Sequence, residues 1–210
     1  MSAPDGSTTY ELATRIFMVG ETLFFLRSEA GFPEFCLRFQ GRNFRSTFFE
    51  LYRARLFQKC NSELHAVAET GVKRADFDFR AVRKPRITVA KPYIITKYIN
   101  VEVTSLTAPH ASIRTIQNAL NTKRKQLPDD APAMIFCVLP ESWLETADDL
   151  ESSVLSEAAR RLFARSRRIN AIVFAAERHL SLSDRSYWSN WVHDDANHHE
   201  RARHPMNFIQ

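Results

Sequence analysis

The sequence predicts a mixed α/β domain with helices on both faces of one sheet, and three features predict it. Ala133–Leu139 and Ala171–Ala176 are continuous apolar runs, the mark of strands buried on both faces. Between them Leu150–Arg168 reads as a polar helix, and two buried strands joined through a helix imply a right-handed parallel crossover. Ahead of them, Ser62–Glu69, Asp76–Val82 and Tyr98–Val103 alternate in whole or in part and lie close enough together to form a meander. Helices on both sides of such a sheet bury its two apolar faces.

Element by element, residues 1–8 are small and polar and read as disordered. Leu12, Ile16, Leu23 and Leu26 fit a helical period over about Tyr10–Arg27, with a break expected near Gly20. Glu29–Arg45 holds Gly31, Pro33 and Gly41 and reads as irregular, with a short strand at Phe35–Phe39. Ser46 caps a helix over Thr47–Lys59 whose stripe is Phe49, Tyr52, Leu56 and Phe57. In the second strand Phe77 and Phe79 face one way and Asp76, Asp78 and Arg80 the other; in the third, Asn100, Glu102 and Thr104 share a face. Residues Arg83–Pro92 are basic and broken by proline, as in a hairpin connection or an extended arm. A helix over Ser112–Gln126 buries Ile113, Ile116 and Leu120 and stops at Pro128. The last thirty residues, with Trp188 and Trp191, show no period.

Composition bounds the function classes. The 210 residues can bury one core, and 44% hydrophobic with 25% charged residues is ordinary globular usage. Ile16–Leu26 is far shorter than the roughly 20 apolar residues of a bilayer span and lacks a signal peptide's basic flank, so no membrane partner is expected. Cys36, Cys60 and Cys137 are odd in number and widely spaced, which suits buried free thiols in a reducing cytoplasm. The net charge of +5 is unevenly spread: residues 51–127 carry 15 Lys/Arg against five Asp/Glu. Such a block is either a solvated face or a surface that meets phosphate. His193, His198, His199 and His204, with Asp194 and Asp195, have no structural-zinc spacing and read as a polar tail. There is no Gly-rich phosphate loop, no G-x-S-x-G and no evident Cys–His pair.

What remains is an acidic pair on neighbouring strands. Ala75-Asp76-Phe77 places an aspartate at the opening of the second strand, and Val101-Glu102-Val103-Thr104 places a glutamate on the third. Asp78 lies on the same side as Asp76, and the pattern keeps both in view with Asp76 first. With the order helix, three-strand meander, helix, strand, these residues resemble the restriction-endonuclease-like (PD-(D/E)xK) nuclease superfamily over about Phe49–Ala176. The resemblance implies a three-layer α/β/α core with a mixed central sheet over residues 46–178, between an N-terminal extension (1–45) and a C-terminal tail (179–210). It implies Mg²⁺ or Mn²⁺ held by Asp76 and Glu102, with Glu50 assisting from the preceding helix, and hydrolysis of DNA phosphodiester bonds. Members are often dimers, so a homodimer is allowed.

The motif departs from the family pattern at one residue. Thr104 stands where the family has its lysine, and a threonine supplies no charge. Lys123 follows Ile116 by seven residues and Leu120 by three, so it shares the inner face of its helix and is the candidate replacement; Lys125 points away. Arg83, Lys84, Arg86 and Lys91 are the candidate contacts to backbone phosphates. The alternative is a catalytically lapsed domain on the same fold that binds nucleic acid or a protein without cutting.

Overall fold

The computed structural model describes residues 6–41, 44–60, 62–68, 70–72, 74–83, 98–108, 112–143, 151–182 and 185–204. The chain is mixed α/β, with five α-helices and one six-stranded mixed sheet among these residues. Three helices come first: α1 (Gly6–Leu26), α2 (Phe32–Gly41) and α3 (Phe44–Lys59). Strands β1 (Ser62–Ala66), β2 (Phe79–Arg83) and β3 (Tyr98–Ser105) form the expected antiparallel meander. Helix α4 (Ile113–Gln126) leads to β4 (Ala133–Leu139), which lies parallel to β3. Helix α5 (Glu151–Arg165) leads to β5 (Ile169–Leu182), which lies parallel to β4. Strand β6 (Arg185–His198) returns antiparallel to β5, so spatial order follows chain order from β1 to β6.

Strand alternation divides the core in two. Ile135, Cys137 and Leu139 pack with Ile116 and Leu120 of α4 and Leu155, Ala158 and Leu162 of α5. Met134, Phe136 and Val138 face the other way, onto Phe35 of α2 and Phe48, Phe49 and Leu51 of α3. All seven residues of β4 are buried, as its unbroken apolar run requires. Ser112 caps α4 by accepting from Thr115 N at 3.1 Å, one residue before the helix begins.

The N-terminal third departs from its sequence reading. Helix α1 begins at Gly6, inside the stretch expected to be disordered, and runs through Gly20 without a break. The stretch expected to be irregular is α2, because Pro33 falls in the first turn of a helix, where its missing N–H costs nothing. The spacing of Phe35, Arg38 and Phe39 is helical, and Phe35 and Arg38 are buried. Before α2, the chain runs against the sheet edge. A Cβ on Gly31 would lie 2.2 Å from Ala66 N, so only glycine fits there. The neighbouring Glu29 accepts from Leu64 N at 2.9 Å, satisfying a donor on the edge strand.

At the other end, residues read as a tail without period form β6, paired with β5 on either side of a register shift near Ala176. Of the three free thiols, Cys137 is buried, Cys36 is half-buried and Cys60 is exposed, so burial holds for one of them in full. No helix among the described residues is long and apolar enough to cross a membrane.

Candidate functional site

The site forms where β1 and β2 stop and β3 continues. Ala66 pairs with Phe79, and Phe79 with Val101, so Glu102–Ser105 run on beyond β2. A strand that outruns its neighbour leaves backbone donors to be satisfied. Asp78, immediately before β2, does this: its Oδ2 accepts from Val103 N at 2.6 Å. Its backbone carbonyl accepts from Val67 N at 3.2 Å and from Arg38 Nη2 at 2.8 Å. The end of the meander is thereby fastened to α2.

Five charged side chains from five segments converge here. Arg38 Nη1 bonds Glu50 Oε2 of α3 at 3.1 Å and lies 3.6 Å from Asp78 Oδ1. Ser46 Oγ, one turn earlier on α3, donates to Glu50 Oε1 at 3.4 Å. From the opposite helical layer, Lys123 Nζ donates to Glu102 Oε1 in a short ion pair. Arg38, Glu50, Asp78 and Glu102 are all buried, with Glu102 at 0% exposure. Buried charges of this kind are costly unless they are paired and hydrogen-bonded.

The titration behaviour follows. Burial pushes the Glu102 carboxyl well above the usual range; the Asp78 carboxylate adds to this and Lys123 opposes it. For Lys123, burial disfavours the charge, but Glu102, Asp78 and Glu50 outweigh it and its pKa is raised. Lys123 is therefore a fixed cation. Glu102 Oε2 is buried with no hydrogen-bond partner, an exception that calls for a reason. An oxygen of this kind is the donor type a small hard cation takes. Among the described residues no group of three His, Cys, Asp or Glu side chains is placed to hold a metal.

The sequence-predicted residues are thus partly brought together. Glu50, Glu102 and Lys123 meet as described, and Lys125 is exposed. Asp76 is elsewhere. It lies in the turn before β2, its Oδ1 accepting from Thr70 N at 2.8 Å and Thr70 Oγ1 at 2.7 Å. The Thr70 bonds hold its pKa below the usual carboxylate value. The physical reason is that β2 opens at Phe79 and not at Asp76, because Gly71 at φ 73° and Arg74 at φ 71° carry a turn through this stretch. The aspartate that adjoins the strand is Asp78. Arg83 ends β2, whereas Lys84, Arg86 and Lys91 fall outside the described residues. Arg38 was missed because its segment read as irregular; the spacing of Phe35, Arg38 and Phe39 was the available signal. Comparison with protein-family models, curated proteins and solved structures returns no match for this chain.

Proposed function

We propose that the chain is a metal-dependent phosphodiesterase acting on DNA, built like the restriction-endonuclease-like nucleases, with its lysine moved from β3 to α4. One observation carries the reading: Lys123 Nζ sits on Glu102 Oε1, at the carboxylate beside which the family places its own lysine. The sheet order and the helix between β3 and β4 support it.

Asp78 and Glu102 are the residues that would hold Mg²⁺ or Mn²⁺, in place of the Asp76–Glu102 pair expected from the motif. Such an ion supplies an acidified water and charge neutralisation at the attacked phosphate. The chain's own residues do the rest. Lys123 keeps its proton, so it orients a water and stabilises charge developing on a phosphate oxygen, and it does not act as a base. Arg38 holds Asp78 through both its carboxylate and its carbonyl, which fixes the geometry from behind. Glu102 Oε2 stays unsatisfied and available.

The second reading, binding without cleavage, is favoured by Thr104 on β3 and by Arg38, whose guanidinium already brings a cation to Glu50 and Asp78. Incubation of single- and double-stranded DNA with purified protein and Mg²⁺ or Mn²⁺, beside Glu102→Ala and Lys123→Met, separates the two. Metal-dependent cutting lost in Glu102→Ala and reduced by about 10²-fold or more in Lys123→Met is the expected result. Intact DNA with salt-sensitive binding in all three proteins would establish the lapsed domain.

A further inference from the structure

Away from the acidic cluster, the chain carries a concentration of arginine that the proposed chemistry does not use. An open cavity of about 260 Å³ is lined by Arg74, Arg124, Arg165, Arg167, Arg168 and Arg203, with Asp129 as its one carboxylate. Asp129 is committed: Arg74 Nη1 lies 2.5 Å from its Oδ2, and Arg168 Nη1 pairs with its Oδ1. Among the described residues no carboxylate is paired with Arg124, Arg165, Arg167 or Arg203. Arg124 Nε is buried with no hydrogen-bond partner, and Arg168 and Arg165 add to burial in disfavouring its charge. Like charges gathered in this way repel, and an anion relieves them.

Backbone bonds also order this corner. Arg124 Nη1 reaches Arg165 O at 3.5 Å, Arg203 N donates to Arg167 O at 2.7 Å, and Arg168 Nη1 reaches Leu127 O at 3.5 Å. Asn170 ties this corner together, accepting from Ala133 N at 2.9 Å and donating to His204 O. The Arg124 and Arg168 guanidinium groups are thereby fixed, and guanidinium forks are the donor arrangement that matches phosphate oxygens. Arg74 lines a second opening as well, a groove of about 670 Å³ that includes Arg80 and Tyr98, with the Arg80 guanidinium 4.7 Å from the Tyr98 ring.

We propose that the arginine-lined cavity beside the start of β5 is a phosphate-binding site, and that the phosphate is one carried by a nucleic-acid strand running on past Arg74 into the adjoining groove. The strand as source rests on the nucleic-acid reading above; capture of phosphate by the cavity does not.

The test is equilibrium binding of a fluorescent single-stranded 20-nucleotide DNA in EDTA across a KCl series, with thermal melting in inorganic phosphate alongside. The informative variant is Arg165→Gln/Arg203→Gln: both side chains are exposed, and the bonds at these positions that order the corner come from their backbones. Arg160→Gln/Arg161→Gln is the control, removing the same charge from two arginines already paired with Glu157. The expected result is binding about tenfold weaker in the first variant, with the salt slope reduced by roughly 0.7 for each phosphate no longer neutralised, and the control close to wild type. Unchanged oligonucleotide binding, with inorganic phosphate raising the melting temperature of wild type but not of Arg165→Gln/Arg203→Gln, would assign the site to free phosphate. Equal losses in both variants, or no effect of either ligand, would overturn the proposal. Because no metal is present, binding through the cavity without cleavage in Mg²⁺ would remove the nuclease reading alone, and cleavage insensitive to the arginine changes would remove this one alone.

Discussion

Replacing Lys123 with methionine keeps most of the apolar stem and removes the ammonium from Glu102. That leaves a carboxylate at 0% exposure whose Oε2 has no partner and whose Oε1 no longer has its donor. Breaking a fully buried ion pair from one side costs roughly 3–5 kcal/mol; since the Lys123 side chain keeps 23% exposure, about 2–3 kcal/mol is expected at pH 8. The sign of the pH dependence is fixed by Glu102. Its pKa in the folded chain lies well above the ordinary value of 4.5, so the folded state holds the extra proton as pH rises beyond that value. The Glu102 contribution is therefore most favourable at or below the unfolded value and is lost as pH rises toward the folded one. Removing Lys123 lifts the folded value further and extends that window upward, with a slope of at most ~1.4 kcal/mol per pH unit. Urea denaturation of both proteins at pH 5, 6.5 and 8 reads this directly. With a slope of ~2 kcal/mol per M, the midpoint falls by about 1–1.5 M at pH 8 and by much less at pH 5. Glu102→Gln/Lys123→Met, which removes both charges, recovers much of the loss. A midpoint shift that is the same at pH 5 and pH 8, or a cost below ~0.5 kcal/mol at pH 8, would refute the reasoning, because an uncompensated carboxylate must show both effects.

Three further outcomes are expected. Asp78→Ala abolishes metal-dependent DNA cleavage, whereas Asp76→Ala, which loses only a surface turn with Thr70, retains it in the same assay. Mn²⁺ or Mg²⁺ at a hundred times its dissociation constant stabilises the wild type by about 2.7 kcal/mol, seen as a rise of several degrees in melting temperature; Glu102→Gln shows no rise. Gly31→Ala, whose new Cβ would meet Ala66 N at 2.2 Å, lowers stability by roughly 1–3 kcal/mol in chemical denaturation, because backbone and not a flexible side chain must move.

The parts of the fold that could be read in advance were those with a regular apolar pattern. β4 and β5 declared themselves by apolar runs, and α4 by Ser112 at its cap and Ile116 and Leu120 along its inner face. That same periodicity placed Lys123 toward the sheet, where it meets Glu102. α2 was hidden because glycine and proline read as loop residues, although Pro33 sits in a first turn. β6 was hidden because an edge strand need not be apolar on either face. The choice between Asp76 and Asp78 was not in the alternation, since both fall on one side of an ideal strand. A turn with two residues at positive φ delays the strand to Phe79 and leaves Asp78 next to it.

The run of β3 beyond β2 has a consequence for how the molecule comes together. Because that overhang is closed by Asp78 and Arg38 on one side and by Lys123 on the other, the charged cluster belongs to neither helical layer alone. Its members are drawn from residue 38 to residue 123, and no local segment can form it in advance. The cluster therefore exists only once α2, α3, β3 and α4 have docked, and any ligand that requires it reports the packing of both helical layers rather than the presence of a sheet.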